Sequence, residues 1–290
     1  MANSIELVSK SVALLDEVYK YYSLTQDLES DSNIVRQGTN ANEILYPKIS
    51  MDGLGNYDRN DGYVNGSASL EWETVKFNYD RGRTFSVDAM DNEETINVAF
   101  GKLSSEFVRT KVVPELDAVR FATYCGATGI GTKSEALTTG DGVCSAITTA
   151  NTTLDEAEVP VESRYLYITP TLYNQIIALD TYKSKAMLEG FAKVVKVPQT
   201  RFYSAIDLLD GKTSGEEIGG YKKATSGKNI NFMIIEKSAV IQYTKHLVNK
   251  VITPEENQSA DAWKLFYRAY GLTDVFENKV AGIYASISTT

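Results

Sequence analysis

Apolar side chains recur every three or four residues in two stretches of the chain, and this spacing predicts two amphipathic helices. The first covers residues 5–22, and the second, the strongest helix of the pattern, covers residues 91–113. Asp91 is the predicted N-cap of the second helix, with Glu94 in the capping-box position. Pro114 is expected to kink or restart this helix, because proline interrupts the backbone hydrogen-bond ladder. The apolar stripe of the second helix consists of Ile96, Ala99, Phe100, Leu103 and Phe107.

Residues 44–87 are strand-like on both sides of a turn-rich segment and predict a long β-hairpin. Glycine, asparagine and aspartate crowd residues 51–67, which is typical of a flexible tip. The apolar phase changes within residues 68–79, which predicts a bulge or a strand that changes the surface it faces. Gly82 is expected to hold a positive φ at the hairpin base. Limbs of about 15 residues reach roughly 50 Å, and a lone two-stranded ribbon is marginally stable. A neighbouring subunit is therefore expected to cover the hairpin.

The remainder of the chain mixes helices and strands without a steady βαβ rhythm, which predicts the α+β class. Residues 126–142 and 208–229 are glycine-rich and polar, and both are predicted loops. Residues 240–251 show a mixed pattern. The predicted elements are a helix over 143–157, a strand over 164–169, a helix opened by Thr169 and Pro170, a buried strand over 231–237, and two C-terminal strands around a tight turn at Glu277 and Asn278.

Composition and charge narrow the classes of function. The chain has 18 Tyr but 10 Phe and 2 Trp, and tyrosine suits half-buried surfaces where the ring is dry and the hydroxyl is wet. A net charge of −9 disfavours sequence-independent nucleic-acid binding, which depends on Lys and Arg. No apolar stretch is long enough to predict a membrane-spanning helix. The two cysteines, Cys125 and Cys144, lack the spacing of a metal site.

Motifs that would indicate catalysis are weak. GATGIGTKS at 126–134 is similar to a phosphate-binding loop, but Thr132 separates Gly131 from Lys133, and the segment follows a predicted helix instead of a strand. His246 is the only histidine, and no Gly-x-Ser-x-Gly nucleophile elbow accompanies it. A catalytic pair of carboxylates, one acting as general acid and the other as general base, stays an open alternative, because Asp and Glu are abundant. We therefore predict no catalytic, cofactor-binding or metal-binding residues and expect that the chain is not an enzyme.

Four segments resemble the major capsid proteins of tailed bacteriophages, which have the Hong Kong 97-like fold. GLGNYDRNDGY at 53–63 resembles the tip of the family's hairpin, and RGRTFSVDAMDNEET at 81–95 resembles its return into the long spine helix. VPELDAVRFATY at 113–124 resembles the end of that helix. VPVESRYLYITPTLYNQI at 159–176 resembles the strand and helix of the axial domain. The order and spacing of the four segments carry the resemblance over nearly the whole chain.

The resemblance implies a division of the chain into four parts. Residues 1–43 are the N-terminal arm, and residues 44–87 are the extended β-hairpin loop that lies over the adjacent subunit. Residues 88–125 together with 251–290 are the peripheral domain with the spine helix. Residues 126–250 are the axial domain. Because the hairpin begins near residue 44, no room is expected for a fused scaffolding segment.

The same resemblance implies function by assembly in the virion capsid, with subunits made and assembled in the host cytoplasm. The implied partners are further copies of the chain in pentamers and hexamers, a separate scaffolding protein, a portal and, in some members, a decoration protein. The icosahedral shell encloses double-stranded DNA without sequence-specific binding, and no membrane or cofactor is involved. The predicted intersubunit contacts are Tyr57, Arg59, Trp72, Phe77, Arg81 and Arg83.

Two other functions stay open on the residues. One is an encapsulin-like bacterial nanocompartment, whose shell has the same fold but encloses a cargo enzyme. The other is a soluble enzyme that uses carboxylates. Size-exclusion chromatography with negative-stain microscopy distinguishes them. Megadalton shells, or rings of five or six subunits, would support either shell function, whereas the enzyme is expected to be a stable monomer.

Overall fold

The computed structural model describes residues 23–30, 36–37, 42–60, 62–94 and 105–289. The predicted helix over 5–22 lies outside these residues, as does the middle of the predicted helix over 91–113. The strands are β1 (Arg36–Gln37), β2 (Glu43–Met51), β3 (Ala68–Lys76), β4 (Tyr79–Asp88), β5 (Gly131–Ser134), β6 (Arg164–Ile168), β7 (Lys193–Lys196), β8 (Ile206–Leu209), β9 (Gly220–Lys223), β10 (Ile230–Glu236), β11 (Val240–Ile252), β12 (Ala262–Val275) and β13 (Ile283–Ile287).

The helices are fewer than the strands in the described part of the chain. They are α1 (Ala89–Glu94), α2 (Val113–Gly126), α3 (Gly140–Glu156), α4 (Pro170–Ala178) and α5 (Tyr182–Glu189), with a π-helical turn over Val108–Val112. Short 3₁₀ segments cover Gln26–Leu28, Gln199–Arg201, Lys237–Ala239, Pro254–Glu256 and Glu277–Gly282. The predicted α+β class is confirmed, with α4 opening at Pro170 after Thr169 as expected.

A five-stranded sheet in the order β5-β13-β10-β6-β7 forms the centre of the fold. Its middle strand, β10, is an apolar run because both of its faces are covered. Phe232 and Ile234 pack in the cluster that contains α3, whereas Met233 and Ile235 pack in the cluster that contains α2. Successive side chains of a strand point to opposite faces, so one short segment serves two cores.

A second sheet, in the order β11-β12-β4, packs against the helical segment that leads into α2. Val108, Val112 and Val113 meet Tyr267 and Ala269 of β12 in one buried cluster. The sequence pattern described residues 240–251 as mixed, but they form one strand, β11, which pairs with β12 over nearly its whole length. The two C-terminal strands do not pair with each other, because β12 belongs to this sheet and β13 to the central one.

The hairpin is shorter than the sequence predicted. Strands β2 and β3 pair from Glu43 and Lys76 at the base to Met51 and Ala68 near the tip, and their register has no bulge. The limbs have nine residues each and reach about 30 Å, at about 3.3 Å per residue. Strand β4 was predicted as the return limb but pairs with β12 in the second sheet. The predicted bulge is absent, but the predicted alternative is confirmed: Val75 packs on the buried face at the base, whereas Leu70 and Trp72 lie on the opposite face of β3. The predicted hairpin range to residue 87 includes β4, which belongs to the second sheet.

Glycine is required at position 82 by a close contact with the neighbouring strand, and not by the positive φ that the sequence predicted. It lies inside β4 opposite Arg268, and its φ is not in the positive range. A Cβ atom at this position would lie 2.7 Å from the backbone oxygen of Tyr267. The close approach of β12, and not a left-handed turn, excludes a side chain here.

The start of the spine-like helix also differs from the prediction. Helix α1 begins at Ala89, and the backbone N–H of Met90 donates to the carboxylate of Asp88 at 3.0 Å. Asp88 is therefore the N-cap, and Asp91 lies within the helix. The expectation for Pro114 was right, because the π-helical turn ends at Val112 and an α-helix restarts at Val113 with the proline in its first turn.

Both predicted loops contain short strands. Within residues 126–142, β5 pairs in parallel with β13, so the segment that is similar to a phosphate-binding loop continues as a strand and not as a helix. Within residues 208–229, β9 forms a small hairpin with β8. Strands β5 and β9 have few apolar residues, which is why the sequence pattern did not indicate them.

A buried carboxylate ties residues 23–30 to α2. Asp117 is fully buried and accepts hydrogen bonds from the hydroxyls of Ser23 and Thr25, at 3.1 and 2.9 Å, and from the backbone N–H of Leu24 at 3.2 Å. The guanidinium of Arg201 donates to the same carboxylate at 3.2 Å. Asp117 therefore joins three separate parts of the chain.

Candidate assembly surface

The register of the hairpin separates its side chains into two faces of opposite character. Directly paired residues share a face, and the face alternates along each strand. We define the apolar face of the hairpin as Pro47, Ile49 and Met51 of β2 with Ala68, Leu70 and Trp72 of β3. The opposite face carries Lys48, Ser50, Ser69 and Glu71 beyond the base.

The apolar face is exposed. The exposed fractions are 59% for Ile49, 71% for Met51, 57% for Leu70 and 39% for Trp72. Scattered apolar residues are normal on a surface, but a contiguous apolar face on a projecting ribbon indicates a binding surface. A two-stranded ribbon also lacks independent stability in water. Both arguments lead to the same conclusion, that another polypeptide covers this face.

The base of the hairpin is held firmly by the second sheet. Ile44 and Tyr46 are buried against Ile241 of β11 and Leu272 of β12, and the ring of Phe276 meets that of Tyr46 edge-on at 4.9 Å. The base is therefore anchored, and the exposed apolar face begins directly beyond it.

Carboxylates surround the base of the hairpin and disturb the ionisation of Asp274 and Tyr46. The ammonium of Lys48 pairs with Glu277 at 3.1 Å and with Glu73 at 4.0 Å. Burial raises the pKa of Asp274, and the neighbouring carboxylates of Glu73 and Glu277 raise it further. Burial and a hydrogen bond to Glu73 raise the pKa of Tyr46. The charged form of Asp274 therefore opposes the folded arrangement.

Replacing Asp274 by asparagine is expected to stabilise the subunit increasingly as pH rises. Below the ordinary pKa of 3.8, the folded and unfolded chains both hold the proton, so ionisation of Asp274 costs nothing. As pH rises above 3.8, the unfolded chain loses the proton first, and the folded state is penalised until its own raised pKa is passed. Asparagine cannot ionise and escapes this penalty.

Urea unfolding of the parent chain and of Asp274→Asn, repeated at pH values from below 3.8 to neutral, measures the change in unfolding free energy. The gain in unfolding free energy from the substitution should grow from acid to neutral pH. Asp180→Asn is the control, because pairing with Lys185 lowers the pKa of Asp180 and predicts a trend of opposite sign. The same trend in both variants would contradict the raised pKa of Asp274 in the folded chain.

The tip of the hairpin has local order of its own. Asp58 and Gly62 exchange backbone hydrogen bonds of 3.2 and 2.8 Å, and Gly62 holds a positive φ of 79°. The rings of Tyr57 and Tyr63 meet at 4.9 Å, yet both remain exposed, and Leu54 is fully exposed. The predicted flexible tip is therefore a small turn that presents acidic and aromatic side chains outward.

Three of the six predicted contact residues lie on the exposed hairpin. Tyr57 and Arg59 belong to the tip, and Trp72 belongs to the apolar face. These three residues stay predicted intersubunit contacts. Sequence reasoning did not single out Ile49 and Leu70, although they are paired with each other next to Trp72. The alternation along the strand already placed Leu70 and Trp72 on one face, and only the cross-strand register adds Ile49 to it.

The other three predicted contact residues also stay predictions, and each of them makes contacts within the chain. The ring of Phe77 packs 4.8 Å from that of Tyr270, under the ammonium of Lys245. Arg81 pairs with Glu115 at 2.8 Å, and this side chain also donates to the backbone oxygens of Leu209 and Gly220.

Arg83 reaches the same segment, where it donates to the backbone oxygens of Glu217 and Ile218 at 3.0 and 3.2 Å. Arg81 and Arg83 thus hold the segment between β8 and β9 against β4. Both side chains have a role inside the subunit that the sequence did not indicate.

Groups that could carry chemistry are dispersed in the described residues. Burial raises the pKa of the Cys125 thiol to about 11, which removes it as a nucleophile. His246 is exposed on β11. Across the described ranges, no set of three or more His, Cys, Asp or Glu side chains is arranged to hold a metal ion. None of the helices described here is long and apolar enough to cross a membrane.

Comparison by sequence finds no matching protein-family model and no matching curated protein. Comparison of folds finds clear similarity to solved capsid structures. The mature capsid asymmetric unit of bacteriophage PhiM1 aligns with a TM-score of 0.59 at 9% identity, covering 88% of this chain and 84% of that chain. The capsid of Myoviridae phage XM1 aligns with a TM-score of 0.55 at 13% identity, covering 92% of each.

A virus-like particle from Pyrococcus furiosus aligns over 96% of this chain and 98% of that chain, with a TM-score of 0.56 at 9% identity. The similarity extends over almost the full length of each of these chains, so it concerns the whole architecture and not one motif. The chain therefore has the capsid fold of tailed phages, as the resemblance implied.

Proposed function

We propose that this chain is the major capsid protein of a tailed bacteriophage and acts by self-assembly, not by catalysis. The observation that carries the proposal is the exposed apolar face on an anchored, projecting hairpin. A subunit that keeps this face in water loses the free energy that burial would supply, about 25 cal/mol per Å² of apolar surface. A neighbouring copy in a closed shell covers it in every subunit.

In the proposed shell, the subunits form pentamers and hexamers that tile an icosahedral capsid in the virion. The shell encloses double-stranded DNA, and a separate scaffolding protein, a portal and a decoration protein are proposed partners. Assembly takes place in the host cytoplasm. The net charge of −9 supports this function, because an acidic wall does not adhere to packaged DNA.

The strand pairing supports a division into two parts that differs from the ranges predicted. We assign the peripheral part to the second sheet, so that it includes β11 from Val240 onward. We assign the axial part to the central sheet, so that it includes β13 at the end of the chain. The predicted boundary near residue 250 falls inside β11, where a division of domains would interrupt continuous strand pairing.

A shell that encloses cargo other than phage DNA is the second candidate. The full-length alignment with the Pyrococcus furiosus virus-like particle favours a shell but does not distinguish the contents. Nuclease treatment of purified particles, followed by extraction of protected nucleic acid, separates the two. Protected genomic DNA supports the capsid, whereas a co-purifying enzyme supports the compartment.

The apolar face is tested by replacing Ile49 and Leu70 with serine together. Full burial of a side chain of this size contributes about 1.5–3 kcal/mol. Ile49 and Leu70 are 59% and 57% exposed in the subunit, so the pair should weaken the contact at least about tenfold. The expected result is a folded subunit that forms no shells at concentrations where the parent chain assembles. Size-exclusion chromatography with negative-stain microscopy measures the outcome.

The matched control changes the opposite face at the neighbouring paired position, with Ser50→Ala and Ser69→Ala. These side chains are also exposed, so the control variant should assemble like the parent. Normal shells from the Ile49 and Leu70 variant, or a parent chain that stays monomeric at high concentration, would falsify the proposal.

A further inference from the structure

A basic cleft lies beside the hairpin base of a chain that is acidic overall. It encloses about 1010 Å³ between β4, the helical segment over residues 106–115 and residues 200–223. Cationic side chains outnumber carboxylates on its walls, although the whole chain has a net charge of −9. Sites for small molecules typically enclose about 300–1,000 Å³. The basic cleft is therefore large enough to hold one ligand of this size.

The carboxylates on the described walls of the basic cleft are held by partners. Asp210 accepts hydrogen bonds from the hydroxyl of Thr213 at 2.6 Å and from the backbone N–H groups of Lys212 and Thr213 at 2.7 and 2.8 Å. These bonds lower the pKa of Asp210 to about 2. The other carboxylates pair with arginines, and these pairs are Glu115 with Arg81, Asp80 with Arg268, and Glu106 with Arg109.

Three lysines of the basic cleft have no carboxylate partner in the described part of the chain. Lys111, Lys212 and Lys223 are exposed and form no ion pair there. They come from three separate elements, namely the π-helical turn, the loop between β8 and β9, and the end of β9. Lys222, by contrast, lies 3.8 Å from Glu216. An anionic ligand can therefore meet three positive charges without breaking an ion pair.

Two half-buried tyrosines, Tyr203 and Tyr221, line the same cleft. The ammonium of Lys223 lies 5.9 Å from the centre of the Tyr203 ring. The hydroxyl of Tyr221 donates to the backbone oxygen of Thr200 at 2.8 Å, which fixes the direction of that ring. Bases of nucleotides stack on aromatic side chains, and their phosphates bind cations. Rings beside unpaired lysines therefore suit a ligand that joins a flat base to anionic groups.

The surroundings of the basic cleft favour a small ligand over a nucleic-acid strand. A strand continues beyond the cleft in both directions and needs further Lys and Arg side chains for its phosphates. The chain has 38 Asp and Glu residues against 29 Lys and Arg, so such a strand would meet a surface that is acidic overall. A single nucleotide ends inside the cleft and avoids this repulsion.

We propose that the basic cleft binds a nucleoside triphosphate, with the phosphates at the three unpaired lysines and the base against the two tyrosines. The negative charge of a triphosphate matches the three lysine charges, and each contact is a charge-assisted hydrogen bond. The bound ligand joins the helical segment around Lys111 to the β8–β9 hairpin. The site lies within one subunit and needs no second copy, so it goes beyond the assembly function and is measured on the unassembled chain.

Isothermal titration calorimetry of the full-length, unassembled chain with ATP tests the site. A magnesium-free buffer leaves the triphosphate its full negative charge. We expect saturable binding of one ATP per chain, with an affinity that falls as salt screens the lysines. Adenosine lacks the phosphates and inorganic tripolyphosphate lacks the base, so each should bind at least about tenfold more weakly than ATP.

Substitutions in the basic cleft separate the phosphate contacts from the base contact. Lys111→Glu with Lys212→Glu should lower the affinity for ATP at least about tenfold, because carboxylates then face the phosphates. Tyr203→Leu should weaken the binding of ATP and leave that of tripolyphosphate unchanged, because only ATP carries a base. A merely structural role of Tyr203 would affect both ligands alike.

Three controls keep the result interpretable. Lys228→Glu with Lys237→Glu changes the net charge equally at exposed lysines that do not line the cleft, and it should leave the affinity for ATP unchanged. Lys111→Gln with Lys212→Gln is a milder cleft variant, whose affinity should fall by a smaller factor than that of the glutamate variant. Circular dichroism checks that every variant is folded.

Three results would overturn the inference. They are a parent chain that shows no saturable binding of ATP, a glutamate variant that binds ATP like the parent, and tripolyphosphate that binds as tightly as ATP. A single-stranded oligonucleotide that binds more tightly than ATP, and loses affinity in the glutamate variant, would identify the occupant as a nucleic-acid strand and also reject the nucleotide. The test of Ile49 and Leu70 measures shells and not ligand binding, so failure of this site is distinguishable from failure of the assembly function.

Discussion

Replacing Asp117 by alanine is expected to lower the free energy of unfolding by about 3–5 kcal/mol, the usual cost of removing one partner from a buried ion pair. The carboxylate is fully buried and accepts from Ser23, Leu24, Thr25 and Arg201. Alanine leaves these donors without their acceptor and leaves a guanidinium without its counter-charge. The effect should be large, since this one side chain bonds both residues 23–25 and the turn at Arg201.

Denaturant unfolding, monitored by circular dichroism at neutral pH, measures the loss. Asp80→Ala is the control, because Asp80 also pairs with an arginine, Arg268, but the pair is exposed to water. Exposed pairs contribute little, so this variant should unfold close to the parent. Equal losses in both variants would show that Asp117 is not the buried junction described here.

Replacing Gly82 by valine is expected to cost about 1–3 kcal/mol, the range for forcing extra volume into a packed site. The added Cβ would lie 2.7 Å from the Tyr267 oxygen and 3.3 Å from the Cβ of Arg268. The oxygen is a backbone atom in the middle of β12, so relief requires β4 and β12 to separate. This separation would also displace Arg81 and Arg83, which flank Gly82 and hold the β8–β9 segment.

The matched control is Gly53→Val in the hairpin tip, where an added Cβ meets no atom within 4 Å. Thermal unfolding should show a clear decrease for Gly82→Val and almost none for the control. Gly82→Ala separates the clash of the Cβ atom from that of the rest of the valine side chain, because alanine adds only the Cβ. An alanine variant as stable as the parent would show that the strand spacing at Gly82 is not limiting.

Local patterns in the sequence predicted many of the elements correctly. The apolar run of β10, the helix over Gly140–Glu156 and the opening of α4 at Pro170 all followed from spacing or capping chemistry. Each of these signals lies within a few residues of the element it describes. The predicted cap at Asp91 was wrong by three residues, because Asp88 offers the same carboxylate closer to the true start.

Strand partners were the main source of error. Strand β4 follows β3 directly in the chain, so the sequence favoured a single long hairpin, yet β4 pairs with β12, whose residues are more than 170 positions away. Arg81 and Arg83 stay predicted intersubunit contacts. The pairing of β4 with β12 also brings both beside the β8–β9 hairpin, which gives them a role inside the subunit that the sequence did not indicate.

The sequence by itself determined the α+β class, most of the secondary structure, and the presence of a glycine-rich hairpin with an acidic, aromatic tip. These properties depend on spacing, turn residues and composition, which are local. Only the tertiary structure decided which strands pair, and that Ile49 lies beside Leu70 and Trp72 on one exposed face. Those arrangements depend on register and on contacts between distant residues, and side-chain periodicity within a segment carries no information about either.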